Sequence, residues 1–288
     1  MSTVITKLTV TKALSQPSVL IGFPLSIALY VSFFFGAQKS KIATSEKQVS
    51  WLLTFMSSAG LTLASIPRFY NFWRSGWDIR SFQVDNTFDT MILCYFVTYL
   101  ILDLTLGSIY YKGQINLLTG WIHHSVYTFM TVYFLCHRLG GFFVVASILE
   151  LPTLIMALGC LWSNLRSDYL FASTFFSFRL VFHAFMIKTL KQHHHIQTLW
   201  IVAASIFPLH LFWFYGFIRQ QKRKYQVYME RKRAMKQKIL EEKENLQSVA
   251  SCSTSSVSNF ASKKEISRLR KFFAQGKRLS FGSLSGAL

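Results

Sequence analysis

The sequence has little of what soluble enzymes are built from. Only 15% of its 288 residues are charged and just twelve are acidic, where an ordinary soluble domain has about 25% charged residues. The four cysteines, Cys94, Cys136, Cys160 and Cys252, show no CxxC spacing. A zinc ribbon or a disulfide framework is therefore not indicated. There is no HExxH pair, no Gly-rich phosphate loop and no Ser-His-Asp order, so the common signatures of hydrolases and nucleotide enzymes are missing. No Asn-x-Ser/Thr sequon occurs either. Lys7 and Lys12 precede an apolar run, but no small-residue cleavage site follows it convincingly. A retained first span is expected rather than a signal peptide.

What fills the space is apolar: 51% of residues are hydrophobic and 16% aromatic. Apolar stretches of roughly 17–25 residues, the length that crosses about 30 Å of hydrocarbon as a helix, recur through three quarters of the chain. Seven spans are expected, at 17–36, 50–66, 88–107, 120–136, 141–160, 170–188 and 198–218. The fold class is thus an all-α integral membrane protein. Three regions are expected: residues 1–46 with the first span, 47–222 with six more, and a basic tail, 223–288. Residues 67–80 alternate aromatics with Arg68, Arg74 and Arg80, as an interfacial loop at headgroup level does.

Charge orients the chain. Residues 219–288 carry seventeen Lys/Arg and five Asp/Glu, net +12 of the whole chain's +19. Arg219, Lys222, Arg223 and Lys224 abut the last span, which predicts a cytosolic C-terminus and, with seven spans, an N-terminus on the other side. Residues 219–247 are rich in good helix formers and are expected to prolong the last span. Residues 248–262 are Ser-rich, with too little apolar surface to order. In 263–281, Ile266, Leu269, Phe272 and Phe273 fall at helical spacing among basic residues. That pattern suits a helix lying on anionic lipid headgroups or a calmodulin target. Ser280 follows Lys277-Arg278-Leu279 as a candidate phosphosite, where phosphate weakens such an attraction. A solvated tail without regulation is the alternative, and nucleic acid is not needed to explain the charge.

The ionisable residues inside the spans are few, and each costs roughly 2.5–3.5 kcal/mol to insert at the bilayer centre. Asp89 and Asp103 lie near the two ends of the third span. His123 and His124 open the fourth, and Glu150 sits in the fifth just before Pro152. Arg179 and His183 fall i,i+4 on one face of the sixth, and His210 follows Pro208 in the seventh. Glu150 and Arg179 have opposite charge and similar depth, which predicts an interhelical pair, either structural or part of a site. His123 and His124 are candidates for a general base or an acyl carrier. Hydrogen bonding where helices converge is the structural alternative. Asp103, Glu150, Arg179 and His183 are the candidate substrate-binding residues. Asp103 is expected near a watery mouth, and His210 as a packed core histidine. His193, His194 and His195 read as a polar loop. No metal and no cofactor is expected.

In their order, Tyr99-Leu-Ile-Leu-Asp103, His123-His124, Glu150-Leu-Pro152 and Arg179 resemble the TLC-domain family. That family includes ceramide synthases, the translocation-associated membrane protein, an endoplasmic-reticulum cargo receptor and proteins linked to phospholipid composition. The resemblance covers about 47–222. It implies a barrel-like bundle of six helices around a membrane-embedded lipid cavity, with an extra helix in front. By position, His123 and His124 match the tandem histidines that serve acyl transfer from acyl-coenzyme A to a sphingoid base. A ceramide synthase carries a His-Asp and a further Asp in the next span. This chain has 146–153, Ala-Ser-Ile-Leu-Glu-Leu-Pro-Thr, with Glu150 the sole acid. The expected function is accordingly lipid homeostasis in the endoplasmic reticulum, by binding an acyl chain or lipid. A ceramide-synthase-like N-acyltransferase using acyl-CoA is the alternative, and a cargo-receptor or translocon-associated role the third.

Overall fold

The computed structural model describes residues 7–82, 85–193, 196 and 198–252. Ser280, the stretch 263–281, the Ser-rich segment from 253 onward, His194 and His195 lie outside these. The chain divides into two compact units, Met1–Phe214 and Tyr215–Leu288. Among the described residues the regular elements are all helices. Membrane-crossing backbone must satisfy its hydrogen bonds within the segment, which an apolar run achieves by coiling.

After the short α1 (Val10–Leu14), α2 (Pro17–Lys39) starts on a proline at its first turn, where the missing N–H has no partner to lose. α3 (Glu46–Ser50) is opened by a capping box between Ser45 and Gln48, and α4 (Leu52–Arg74) follows after Trp51. α4 includes Pro67, so residues 67–74, expected as an interfacial loop, are its last two turns. Neighbouring helices let a membrane helix tolerate proline. The chain turns only at Ser75–Trp77, with Gly76 (φ 72°) and Trp77 (φ 65°) both left-handed. α5 (Thr87–Tyr110) opens with a second capping box, Asn86 with Asp89.

The next three helical stretches each include an irregular turn. A π turn, Leu117–Ile122, runs into α6 (His123–Cys136). α7 (Gly140–Ala146) and α8 (Leu151–Leu161) are joined by a 3-10 turn, Ser147–Glu150. α9 (Asp168–Thr174) and α10 (His183–His193) are joined by a second π turn, Phe175–Phe182. α11 runs from Leu199 to Cys252, so the last apolar stretch does continue as a polar helix.

Six helical stretches among the described residues are long and apolar enough to cross a membrane: Pro17–Lys39, Glu46–Arg74, Thr87–Tyr110, Gly140–Leu161, Asp168–His193 and Leu199–Ser248. The segment expected as the fourth span is helical, but its histidines, threonines and tyrosines leave it less apolar than these six.

Within Met1–Phe214, α5 packs against α2, α4, α6 and α7, while α4 packs against α7 and α8. Lipid offers no hydrophobic drive between helices, so close backbone approach and polar contacts must hold them together. Gly60 supplies one approach, since a Cβ there would lie 2.7 Å from Tyr95 Oη. Gly22 lies against Cys94, 3.1 Å from the same imaginary atom. Polar ties fasten both ends. The Asp89 carboxylate, fully buried, takes two hydrogen bonds from Arg68 at 2.7 and 2.9 Å, and Asp85 accepts from Gly141 N–H at 2.9 Å. At the other end Glu46 accepts from Gly113 N–H at 3.0 Å, and Gln48 Nε2 donates to the Leu161 carbonyl at 3.2 Å.

Candidate functional site

The irregular turns are where the scarce ionisable residues sit. The first π turn delivers His123 and His124 into the bundle, the 3-10 turn ends on Glu150, and the second π turn carries Arg179 and ends beside His183. Such turns inside helices are frequent at functional sites, because they redirect side chains that a regular helix would aim elsewhere.

At one side of the cluster, Asp103 of α5 is buried rather than placed at a watery mouth. Tyr111 donates to its Oδ1 at 2.7 Å, bending back from the end of α5. The other carboxylate oxygen faces Nδ1 of His124 at 3.3 Å. That is close enough for electrostatic attraction but misaligned for a hydrogen bond, and His124 Nδ1 has no hydrogen-bond partner in the protein. The Tyr99 ring stands against His124, centroids 5.5 Å apart, and Tyr99 Oη is paired to Thr54 Oγ1 at 3.1 Å.

His123 lies next to it, ring centroids 5.5 Å apart, with Tyr127 on one side at 4.3 Å and Trp213 on another at 5.5 Å. Its Nδ1 is also buried without a partner. Beyond Trp213 comes Arg179, its guanidinium carbon 5.7 Å from the indole and 5.5 Å from the Phe175 ring. Arg179 donates to the Leu149 carbonyl at 2.8 Å, to Thr153 Oγ1 at 2.7 Å and to Glu150 Oε1 at 3.2 Å. The expected Glu150–Arg179 pair is therefore formed across helices. Its geometry is fork-like: one guanidinium spans a carbonyl, a hydroxyl and a carboxylate, which a lysine ammonium does not reproduce.

His183 sits behind Arg179 and is bonded through both ring nitrogens, to His210 Nδ1 and to the Ala203 carbonyl, each at 3.0 Å. His210 also lies 3.2 Å from the Arg179 carbonyl. The structure thus brings Asp103, His124, His123, Arg179 and Glu150 into one chain of contacts, with Trp213 between the last imidazole and the guanidinium.

Sequence reasoning did not single out Tyr111, Thr153, Trp213 or the His183–His210 bond. Trp213 carried a faint signal, lying three residues after His210 and so on the same helical face.

No family model, no curated protein and no solved structure matches the chain.

What the site can do follows from its geometry. It combines two imidazoles, a carboxylate held by a phenol, and an aromatic-walled guanidinium. Such a set can donate hydrogen bonds to, and accept them from, a polar group placed among its members. No group of three or more potential metal ligands occurs among the described residues.

Proposed function

We propose that this chain is a multi-pass membrane protein of the TLC-domain type that acts in lipid homeostasis. In this reading it holds an acyl chain or lipid inside the bundle, with the polar head among His123, His124, Asp103, Glu150 and Arg179. The observation that carries the reading is the pair of unpartnered nitrogens, His123 Nδ1 and His124 Nδ1, both buried. A buried polar atom left unsatisfied costs about 1–3 kcal/mol, so a ligand that supplies the missing partners gains that much on entry. The aromatic walls from Tyr99, Tyr127 and Trp213 suit the apolar part next to such a head.

The same reading takes α6 as a seventh crossing. Tyr111 and Asp103 mark one end of the α5–α6 hairpin, and Asp85 meets Gly141 at the other. The C-terminus is cytosolic in an endoplasmic-reticulum membrane, with Arg219, Lys222, Arg223 and Lys224 attracted to anionic headgroups by about 1 kcal/mol each.

The test is lipid retention. Wild-type protein purified in mild detergent should carry co-purifying lipid or capture a photoactivatable fatty acid, and His123→Ala/His124→Ala should lose most of it. Equal capture by the double variant would reject the reading.

The Asp103–His124 contact favours a second reading, N-acyl transfer from acyl-CoA. Asp103 Oδ2 lies 3.3 Å from His124 Nδ1, and a rotation of the imidazole that aligned this contact would leave Nε2 as the proton acceptor of a general base. Incubation with labelled acyl-CoA and a long-chain amine should then give an amide, and His124→Ala should not. Absence of product with active lipid capture would leave binding alone.

A further inference from the structure

Two backbone carbonyls fix the protons of the buried histidine pair. His183 opens α10, and its Nε2 lies 3.0 Å from the Ala203 carbonyl. A carbonyl only accepts, so Nε2 carries the hydrogen. A neutral imidazole has one N–H, which leaves Nδ1 of His183 as a lone pair. That lone pair faces Nδ1 of His210 at 3.0 Å, so His210 Nδ1 must donate. The Arg179 carbonyl, 3.2 Å from the same nitrogen, independently demands an N–H there. Both carbonyls lead to one assignment, and they agree.

The consequence falls on the atom neither contact uses. With its hydrogen on Nδ1, His210 has a bare Nε2. The two ring nitrogens diverge from Cε1, so Nε2 is aimed away from His183 and from the Arg179 carbonyl. The His210 ring is buried, with the Trp213 ring at 6.0 Å and Phe175 at 6.3 Å. Trp213 is also the ring that flanks His123 and Arg179. His210 therefore borders the same group of residues as the tandem histidines, with its acceptor atom held in a fixed direction.

We infer that His210 is a ligand-contacting residue whose Nε2 accepts a hydrogen bond from a hydroxyl or amine on the head of the bound lipid, and that His183 is the residue positioning it. The inference rests on the lipid-holding reading and sharpens it. The bundle selects amphiphiles whose head carries a hydrogen-bond donor over those whose head only accepts. His183 contributes no atom to the ligand, since both of its nitrogens are bonded inside the protein.

The test uses full-length protein in detergent micelles and two probes, a diazirine-bearing long-chain alcohol and its methyl ether. Wild type should prefer the alcohol by about fivefold, the scale of one net hydrogen bond. His210→Phe should reduce the preference to none while both probes still bind. His183→Phe should lower the preference without abolishing it, because His210 loses the nearer of the two acceptors that orient it and keeps the Arg179 carbonyl. His183→Asn should restore the preference, its Oδ1 standing where Nδ1 stood. Wild type binding alcohol and ether equally would overturn the inference while leaving the lipid reading intact, and this comparison needs no variant. A preference surviving in His210→Phe would also overturn it, and His183→Asn behaving like His183→Phe would remove the positioning role. Failure of wild type to bind either probe would overturn the lipid reading and this inference together.

Discussion

Tyr111 places its hydroxyl 2.7 Å from Oδ1 of Asp103, eight residues earlier in the chain, and so holds the carboxylate that faces His124. The bond is buried, with Tyr111 almost wholly enclosed. Tyr111→Phe removes only the hydroxyl and should destabilise the protein by about 1–3 kcal/mol, the cost of leaving a buried acceptor unsatisfied. Lipid capture should fall as well, because Asp103 is freed to turn from His124. Thermal unfolding followed by tryptophan fluorescence, with capture measured in parallel, checks both effects. An unchanged midpoint and unchanged capture would remove Tyr111 from the site.

The Arg68–Asp89 pair should behave differently, as an anchor far from ligand. Asp89 is fully buried, and Asp89→Ala leaves Arg68 without its counter-ion, an error that costs about 3 kcal/mol or more. Adding Arg68→Leu should recover much of the loss, since replacing both charges avoids the orphan. Unfolding midpoints of the two single variants and the double variant form the cycle. Independent, additive losses would show that the pair does not couple.

Gly60 is required by contact rather than by backbone freedom. A methyl group there meets Tyr95 Oη at 2.7 Å, and Tyr95 in turn donates to the Met56 carbonyl at 2.6 Å. Gly60→Ala should therefore destabilise by about 1–3 kcal/mol through overpacking. Gly60→Ala/Tyr95→Leu should recover part of the loss by opening the space. A neutral Gly60→Ala would mean that α4 and α5 can separate without penalty.

Asp85 lies in the connection before α5, and burial pushes its carboxyl above the usual aspartate range despite the Gly141 N–H it accepts. A raised carboxyl binds its proton more tightly in the fold than in the unfolded chain. Its contribution is fully present below the ordinary aspartate value of about 3.9 and is lost as pH rises through the raised value. Asp85→Asn should therefore gain on wild type as pH increases from about 3.9 through the raised value. The difference between the two unfolding midpoints should widen across that window. A constant difference would place the carboxyl at its ordinary value.

Six of the seven expected spans coincide with helices among the described residues that are long and apolar enough to cross a membrane, because lipid imposes one rule on every residue they contain. Scarcity was informative for the same reason: Glu150 and Arg179, opposite in sign at similar depth, do pair at 3.2 Å. The polar continuation of the last helix was also readable, from Lys, Glu and Gln in 219–247. The end of α4 was misread because aromatics alternating with Arg68 and Arg74 look like a loop at headgroup level, whereas these residues prolong the helix. His210 looked like a lone core histidine because its partner, His183, is twenty-seven residues away on another helix. The burial of Asp103 was hidden because it depends on Tyr111, which lies past the apolar run and bends back onto it.

The two wide turns have a further consequence for which changes the chain can absorb. Lipid-facing positions in these helices accept many apolar exchanges, but the number of residues is another matter. Each residue advances a helix by about 100°, so deleting one within Phe175–Phe182 rotates everything after it. His183 would swing away from His210. Helical phase, more than side-chain identity, is what this half of the bundle cannot trade. Single-residue insertions and deletions there should therefore be far more damaging than substitutions at the same positions.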